Sequence, residues 1–342
     1  MSQEFNPSSY AVKNGNFIGL PYNEENARIV LLPVPWEATV SYSAGTARGP
    51  ENILEASYQL DLYDLDVKDA YKIGIFMRPV DQHILELSDE TRELASLHID
   101  NLENGHKSDP SIVSRVNEGS EKLNDWVHQH CSELLDKGKF VGLIGGDHST
   151  PFGYLKALSE RHDSFGILHI DAHCDLRKAY EGFTYSHASI FYNALESFSN
   201  IEKLVQVGIR DYCEEEMDYI FNSNGRVEAF FDQAMNEAIY TGNTYYNVCK
   251  AIIDKLPEKV YISFDIDGLL PNLCPNTGTP VPGGLTLQQA FYLIKMLSQS
   301  GKKIIGFDVC EVGSASEWDG NVGARVVYKL SNLSCKNNHP TK

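Results

Sequence analysis

SFGILHIDAHCD, residues 164–175, decides the fold. From Phe165 to Ile170 the run is apolar except for His169, and it ends abruptly in a cluster of titratable side chains. A strand buried on both faces of a parallel sheet reads this way, because helices cover both of its faces and no polar alternation is left. The same signature recurs in ARIVLLPVPW (27–36), KFVGLIGGDHS (139–149), KLVQVGIRD (203–211), KVYISFDID (259–267) and KIIGFDVCEV (303–312). The segments between them are long enough for crossover helices. Residues 116–138 have helical spacing and close on Gly138; residues 286–301 open on Thr286 as an N-cap and stop at Gly301. Strand and helix therefore alternate, which predicts an α/β fold with a doubly wound, mostly parallel sheet. The polar clusters fall at the carboxyl ends of the strands, where such sheets bind ligands. Residues 81–120, acidic and containing NLENGHKSDPS, read as a surface insertion with helical parts and a flexible middle.

Composition narrows the function classes. With 47 acidic and 29 basic residues the formal charge is −18, so nucleic acid and anionic membrane surfaces are repelled on average, whereas a small cation is not. No basic-then-apolar leader opens the chain and no run is long enough to span a bilayer, which predicts a cytoplasmic protein. The seven cysteines are scattered without CxxC pairs, and reduced thiols are expected.

Three strand ends carry the chemistry. GGDHS supplies His148, HIDAHCD supplies His169, Asp171, His173 and Asp175, and SFDID supplies Asp265 and Asp267. Side chains two apart on an extended segment share a face, so these groups can converge. Four carboxylates at buried strand ends would repel one another until some took up protons; two divalent cations remove that conflict. Mixed imidazole and carboxylate donors suit Mn²⁺, Fe²⁺, Ni²⁺ or Zn²⁺ better than Ca²⁺ or Mg²⁺.

In order and spacing, GGDHS, DAHCD, SFDIDGLLP…TGTPVPGG and DVCEV resemble the ureohydrolases, the arginase and agmatinase family, and GTARGPENILEAS (45–57) resembles an earlier segment of the same family. The resemblance covers about residues 28 to 330. It implies a three-layer α/β/α domain, residues 28–335 behind an N-terminal extension of residues 1–27, holding two Mn²⁺, with Ni²⁺ or Zn²⁺ as alternatives. On this resemblance His148 and Asp175 bind one ion, His173 and Asp267 the other, and Asp171 and Asp265 bridge them. His169 is expected behind the ligands, orienting a carboxylate. The implied reaction is attack of a metal-bridging hydroxide on a guanidino carbon, releasing urea and an amine. Asp175 would protonate the departing amine, His187 in GFTYSHASIFYN (182–193) would relay protons at the mouth, and Glu311 would pin the guanidinium. The expected partners are a small cationic guanidino substrate and further copies of the chain, as a trimer or hexamer.

The chain departs from the family pattern at three positions. Leu270 replaces an aspartate in DIDGLLP, which leaves the six ligands intact but puts the anchoring of the following loop in question. Gly313 replaces a common asparagine, and Arg177 stands where arginases carry an asparagine that reads the amino-acid end of arginine. Agmatinase-like chemistry is therefore the leading expectation. Guanidinobutyrase, guanidinase or formimidoylglutamase activity, or a catalytically silent metal-binding homologue, are the alternatives.

Overall fold

In the computed structural model, the run that opens SFGILHIDAHCD is a strand, Phe165–Ile170, whose six residues are all buried. The structure describes residues 5–107 and 109–335. Residues 1–4 of the expected N-terminal extension and Ser108 of the expected insertion lie outside the described residues. Eight strands alternate with helices: β1 (Ile29–Val34), α1 (Gly49–Ser57), β2 (Ile75–Met77), α2 (Gln82–Glu103), α3 (Pro110–Asp136), β3 (Phe140–Gly145), α4 (Phe152–Ser159), β4 (Phe165–Ile170), α5 (Ile190–Ser197), β5 (Ile201–Ile209), α6 (Glu214–Asn222), β6 (Val227–Phe231), α7 (Asp232–Tyr240), α8 (Tyr245–Lys255), β7 (Lys259–Asp265), α9 (Leu287–Gln299), β8 (Lys303–Cys310) and α10 (Glu317–Ser334). They form one sheet in the order β2-β1-β3-β8-β7-β4-β5-β6. Every pairing is parallel.

Alternate residues of each strand feed two cores. Ile29, Leu31, Ile144 and Ile262 pack with Ile252, Leu293 and Val326 from α8, α9 and α10. Val30, Leu32, Val141 and Leu143 pack on the other face with Leu123, Leu155 and Phe191 from α3, α4 and α5. The result is three layers. Truncating a residue such as Leu293 to alanine in this core is expected to cost about 2–5 kcal/mol.

Local signals set the helix ends. Gln289 N–H donates to Thr286 Oγ1 at 3.1 Å and Thr286 N–H donates to Gln289 Oε1 at 2.9 Å, a reciprocal cap that starts α9 where the sequence predicts. Helix α3 starts six residues before the sequence expectation of residue 116, because Asp109 accepts from Ser111 N–H at 2.9 Å and Pro110 suits a first turn. The segment expected as a surface insertion is mostly α2 and the start of α3, which pack side by side. Residues 16–20, expected in the N-terminal extension, join the body of the domain: Phe17, Ile18 and Leu20 are buried, and Asn16 Oδ1 accepts from Met77 N–H on edge strand β2 at 2.8 Å. Among the described residues, no helix is long and apolar enough to cross a membrane.

Candidate metal centre and active site

The sheet order explains why residues far apart in sequence meet. Strands β3, β8, β7 and β4 are consecutive neighbours, and their carboxyl ends deliver His148, Glu311, Asp265 with Asp267, and Asp171 with His173 and Asp175. After β3 the chain turns beneath Trp36, where a Cβ at position 146 would lie 1.8 Å from Trp36 O; only Gly146 fits. Asp175 and Glu311 both take left-handed backbone conformations, φ 53° and φ 64°, which re-aim their carboxylates at the strand ends.

His148 Nδ1 faces three carboxylates at once: Asp171 Oδ2 at 3.0 Å, Asp265 Oδ2 at 3.1 Å and Asp175 Oδ2 at 3.3 Å. One ring nitrogen cannot donate well to three acceptors; the ligand atoms of His148, His169, Asp171 and Asp175 lie within 4.8 Å of one another, the arrangement of a cation site, and Asp265 reaches it through His148. A second group forms beside it, with His173 Nδ1 3.1 Å from Asp267 Oδ2 and 3.4 Å from Asp171 Oδ1. Asp171 thus presents one oxygen to each group. Asp265 faces His148 through Oδ2, while its Oδ1 accepts from Asp267 N–H at 2.8 Å. All six expected ligand residues are within these two groups.

Electrostatics in the ligand-free protein show the conflict expected of such a cluster. Burial, reinforced by the Asp171 charge, pushes Asp175 up to about 7. Burial together with Asp267 and Asp171 raises Asp265 well above the usual carboxylate range. Burial also opposes charge on Asp171, but His169, His148 and His173 hold it well below. Burial opposes charge on His148, yet Asp171, Asp175 and Asp265 raise it strongly. The donor set fits a pair of divalent ions, which would relieve this repulsion.

Behind the ligands stand residues that local sequence reading did not single out. His148 Nε2 lies 2.9 Å from Ser263 Oγ, whose hydroxyl donates to Asp308 Oδ2 at 2.7 Å. The serine therefore accepts from Nε2–H, leaving the Nδ1 lone pair toward the carboxylates. Strand parity was the available signal for Ser263, two residues before Asp265; Asp308 is its registered neighbour on β8. His169 is held likewise. The Gln206 amide nitrogen, Nε2, donates to Cys174 O at 2.7 Å and to His169 Nδ1 at 3.0 Å, so the opposite ring nitrogen of His169 donates to Asp171 Oδ2 at 2.7 Å.

Glu311 is buried, with Oε1 accepting from His148 N–H at 2.9 Å and Oε2 without a partner. Burial and the nearby Asp147 raise its carboxyl well above the usual range. A buried, unpaired acceptor of this kind suits a cationic ligand. A cavity of about 360 Å³ has a lining that includes His173, Asp175, Arg177, Tyr180, His187 and Val281; Glu311 is not among its lining residues. His187 is half-buried near Thr39 Oγ1, 3.5 Å from Nδ1; burial, then the His173 and His148 charges, hold its ring well below the usual histidine range. Arg177 lies over the Tyr180 ring, 5.0 Å from its centre.

Two departures from the family pattern have local structural counterparts. Near Leu270, the loop is tied by Arg210, whose Nη2 donates to the carbonyls of Asp267 at 2.6 Å, Val281 at 2.9 Å and Leu269 at 3.2 Å. At position 313 a Cβ would lie 2.0 Å from Asn276 O, so Gly313 lets that loop approach.

The chain matches the model of the Arginase family over residues 27–332. It is 32% identical over 318 residues to the N(1)-aminopropylagmatine ureohydrolase of Thermus thermophilus, covering 92% of each chain. It is 26% identical over 312 residues to the agmatinase of Bacillus subtilis, covering 90% of this chain and 91% of that one. Among solved structures, the agmatine ureohydrolase of Thermoplasma volcanium superposes with a TM-score of 0.71 at 22% identity over 96% of both chains, which shows the shared fold.

Proposed function

Because the chain belongs to the arginase family, we propose that it is a binuclear-metal hydrolase of a linear guanidino compound of the agmatine type, releasing urea and an amine. The observation that carries this reading is Asp171, which gives one oxygen to the His148 group and the other to the His173 group. His148 and Asp175 would hold one Mn²⁺ and His173 and Asp267 the other, with Asp171 and Asp265 shared between them. When bound, such ions supply Lewis acidity and an activated water.

The chain's own residues do the rest. Glu311 accepts guanidinium N–H groups on its unpaired Oε2 and orients the carbon. Hydrolysis places water oxygen on that carbon and breaks the bond to the alkyl nitrogen, which leaves with a proton. Asp175, on the cavity wall, is placed to carry that proton, and His187 exchanges it with solvent.

A second reading concerns the substrate tail. Arg177 lines the cavity and has no carboxylate within 4.0 Å among the described residues, which favours a carboxylate tail, as in guanidinobutyrate or formiminoglutamate. The deciding experiment strips the purified protein of metal and reloads it with Mn²⁺, Ni²⁺ or Zn²⁺. Turnover is then assayed on agmatine, aminopropylagmatine, arginine, guanidine, guanidinobutyrate and formiminoglutamate, detecting urea and formamide. Urea from agmatine or its aminopropyl derivative supports the first reading; turnover confined to the acid-tailed substrates supports the second. Silence on every substrate with two ions bound overturns both.

A further inference from the structure

Neither the ligand set nor the substrate contacts explain what α2 and α3 do beside this site. The two helices run in close contact: a Cβ at Gly119 of α3 would lie 2.6 Å from Thr91 Oγ1 of α2. Into the groove between them Phe183 is inserted from the loop that follows β4. Phe183 is fully buried among Ala95, Ile99 and Val116, and its ring meets His98 edge-on at 5.1 Å.

Phe183 ends a very tight turn. Tyr180 and Phe183 exchange both backbone hydrogen bonds, at 3.2 and 2.8 Å, across Glu181 (φ 53°) and Gly182 (φ 87°). Two successive positive φ values define the turn type that closes a two-residue hairpin, and a glutamate at its first central position is strained. The helices hold this turn by polar contacts as well. His98 Nε2 donates to Glu181 O at 2.7 Å, and Thr184 N–H donates to Asn117 Oδ1 at 3.0 Å. On the opposite side of the turn Tyr180 faces the cavity, carries Arg177 over its ring and meets the His187 ring edge-on at 6.3 Å.

The other wall of the cavity is tied to the same helix. Glu37 N–H donates to Ser88 Oγ of α2 at 2.9 Å, and Arg92 of α2 donates to Val40 O, which fixes the loop carrying Thr39, Ser41 and Tyr42. Thr39 and His187, from the two loops, meet at 3.5 Å.

We propose that the α2–α3 pair is the platform that aligns the two cavity-mouth loops, with Phe183 as a positioning residue that sets Tyr180, Arg177 and His187 at their working distance from the metal centre. None of these contacts involves a metal ligand; the mouth segment meets the ligand set through Asp175, whose carbonyl accepts from Phe191 N–H at 3.1 Å, so metal content serves as the control for ligand geometry. Misplacing positioning groups by about 1 Å can cost on the order of 10²-fold in rate. The proposal rests on the function above only for its kinetic readout.

The test compares wild type, Phe183→Ala, Phe183→Leu and the milder Asn117→Ala, each with metal content, steady-state kinetics on the substrate that wild type turns over, and hydrogen exchange. For Phe183→Ala the expected result is two ions bound, faster exchange confined to residues 177–189, and a KM raised about tenfold with kcat also reduced. Phe183→Leu, which refills the groove, is expected to restore most of KM. Asn117→Ala should reproduce the direction at smaller amplitude, and decides the matter should Phe183→Ala fail to fold. Unchanged KM with activity falling only in proportion to folded protein overturns the proposal, as does unchanged exchange in 177–189. Should wild type be inert on every substrate, the functional reading fails, and hydrogen exchange with metal content still decides this one.

Discussion

His169 Nε2 lies 2.7 Å from Asp171 Oδ2, the oxygen that also faces His148, and the far side of the His169 ring is closed by Gln206. With Nδ1 accepting from an amide, the nitrogen facing Asp171 carries the proton and has no lone pair for a metal. His169→Asn should therefore still bind two ions, but about 10–100-fold more weakly, because the carboxylate loses the bond that orients it. Titration of apoprotein with Mn²⁺, read by calorimetry, checks this. A stoichiometry falling to one ion would make His169 a ligand.

The metal-free protein should lose stability as pH rises through the neutral range. Asp175, raised from 3.8 to about 7, keeps its proton in the native state where the unfolded chain has lost it, so stability falls across that window. His148 and His173, both raised well above 6.5, contribute stability that is full below 6.5 and is lost at higher pH, in the same direction. Asp171 is depressed and acts oppositely, but only as pH falls below 3.8. Bound divalent ions replace those protons, so metal binding tightens as pH rises. The Tm difference between loaded and chelator-treated protein should thus widen steadily from pH 5.5 to 8. A difference that is constant with pH would contradict the cluster's assignment.

Glu311→Gln separates substrate recognition from metal binding. The glutamine carbonyl can still accept from His148 N–H, so metal content should not change. The unpaired, proton-retaining carboxyl is replaced by a neutral amide, so Tm should hold or rise. Turnover should fall by about 10²-fold or more, as when one preorganised electrostatic partner is lost. Parallel assays of metal content, melting and kinetics check all three; wild-type turnover would remove Glu311 from the site.

What was legible in the sequence is what is local. The apolar run of β4 with its polar end and the Thr286 cap depend on neighbours along the chain, and each is where the pattern puts it; the i, i+2 parity does not account for Asp175, which lies beyond the end of β4 with a left-handed backbone, φ 53°. The start of α3 depends on Asp109 and Pro110, outside the apolar period that marked the rest of the helix. Ser263 on Asp308, Gln206 on His169 and Arg210 on the loop beyond Asp267 are products of strand order and register. No periodicity encodes that β8 lies between β3 and β7. The same is true of Phe183, which looks like one more aromatic in GFTYSHASIFYN until α2 and α3 close around it.

His187 answers to a rate rather than to affinity. Its ring is half-buried at the cavity wall, where it can pass a proton between the site and water. His187→Asn keeps a polar side chain of similar reach beside Thr39 but removes the titratable nitrogen. The expected outcome is kcat reduced by about 10²-fold, with KM within threefold and metal content unchanged. Because the ring borders an open cavity, added imidazole should restore part of kcat in a saturable, pH-dependent way. A KM effect larger than the kcat effect, without rescue, would place His187 in substrate binding instead, and the proton would then have to leave through Asp175 and solvent directly.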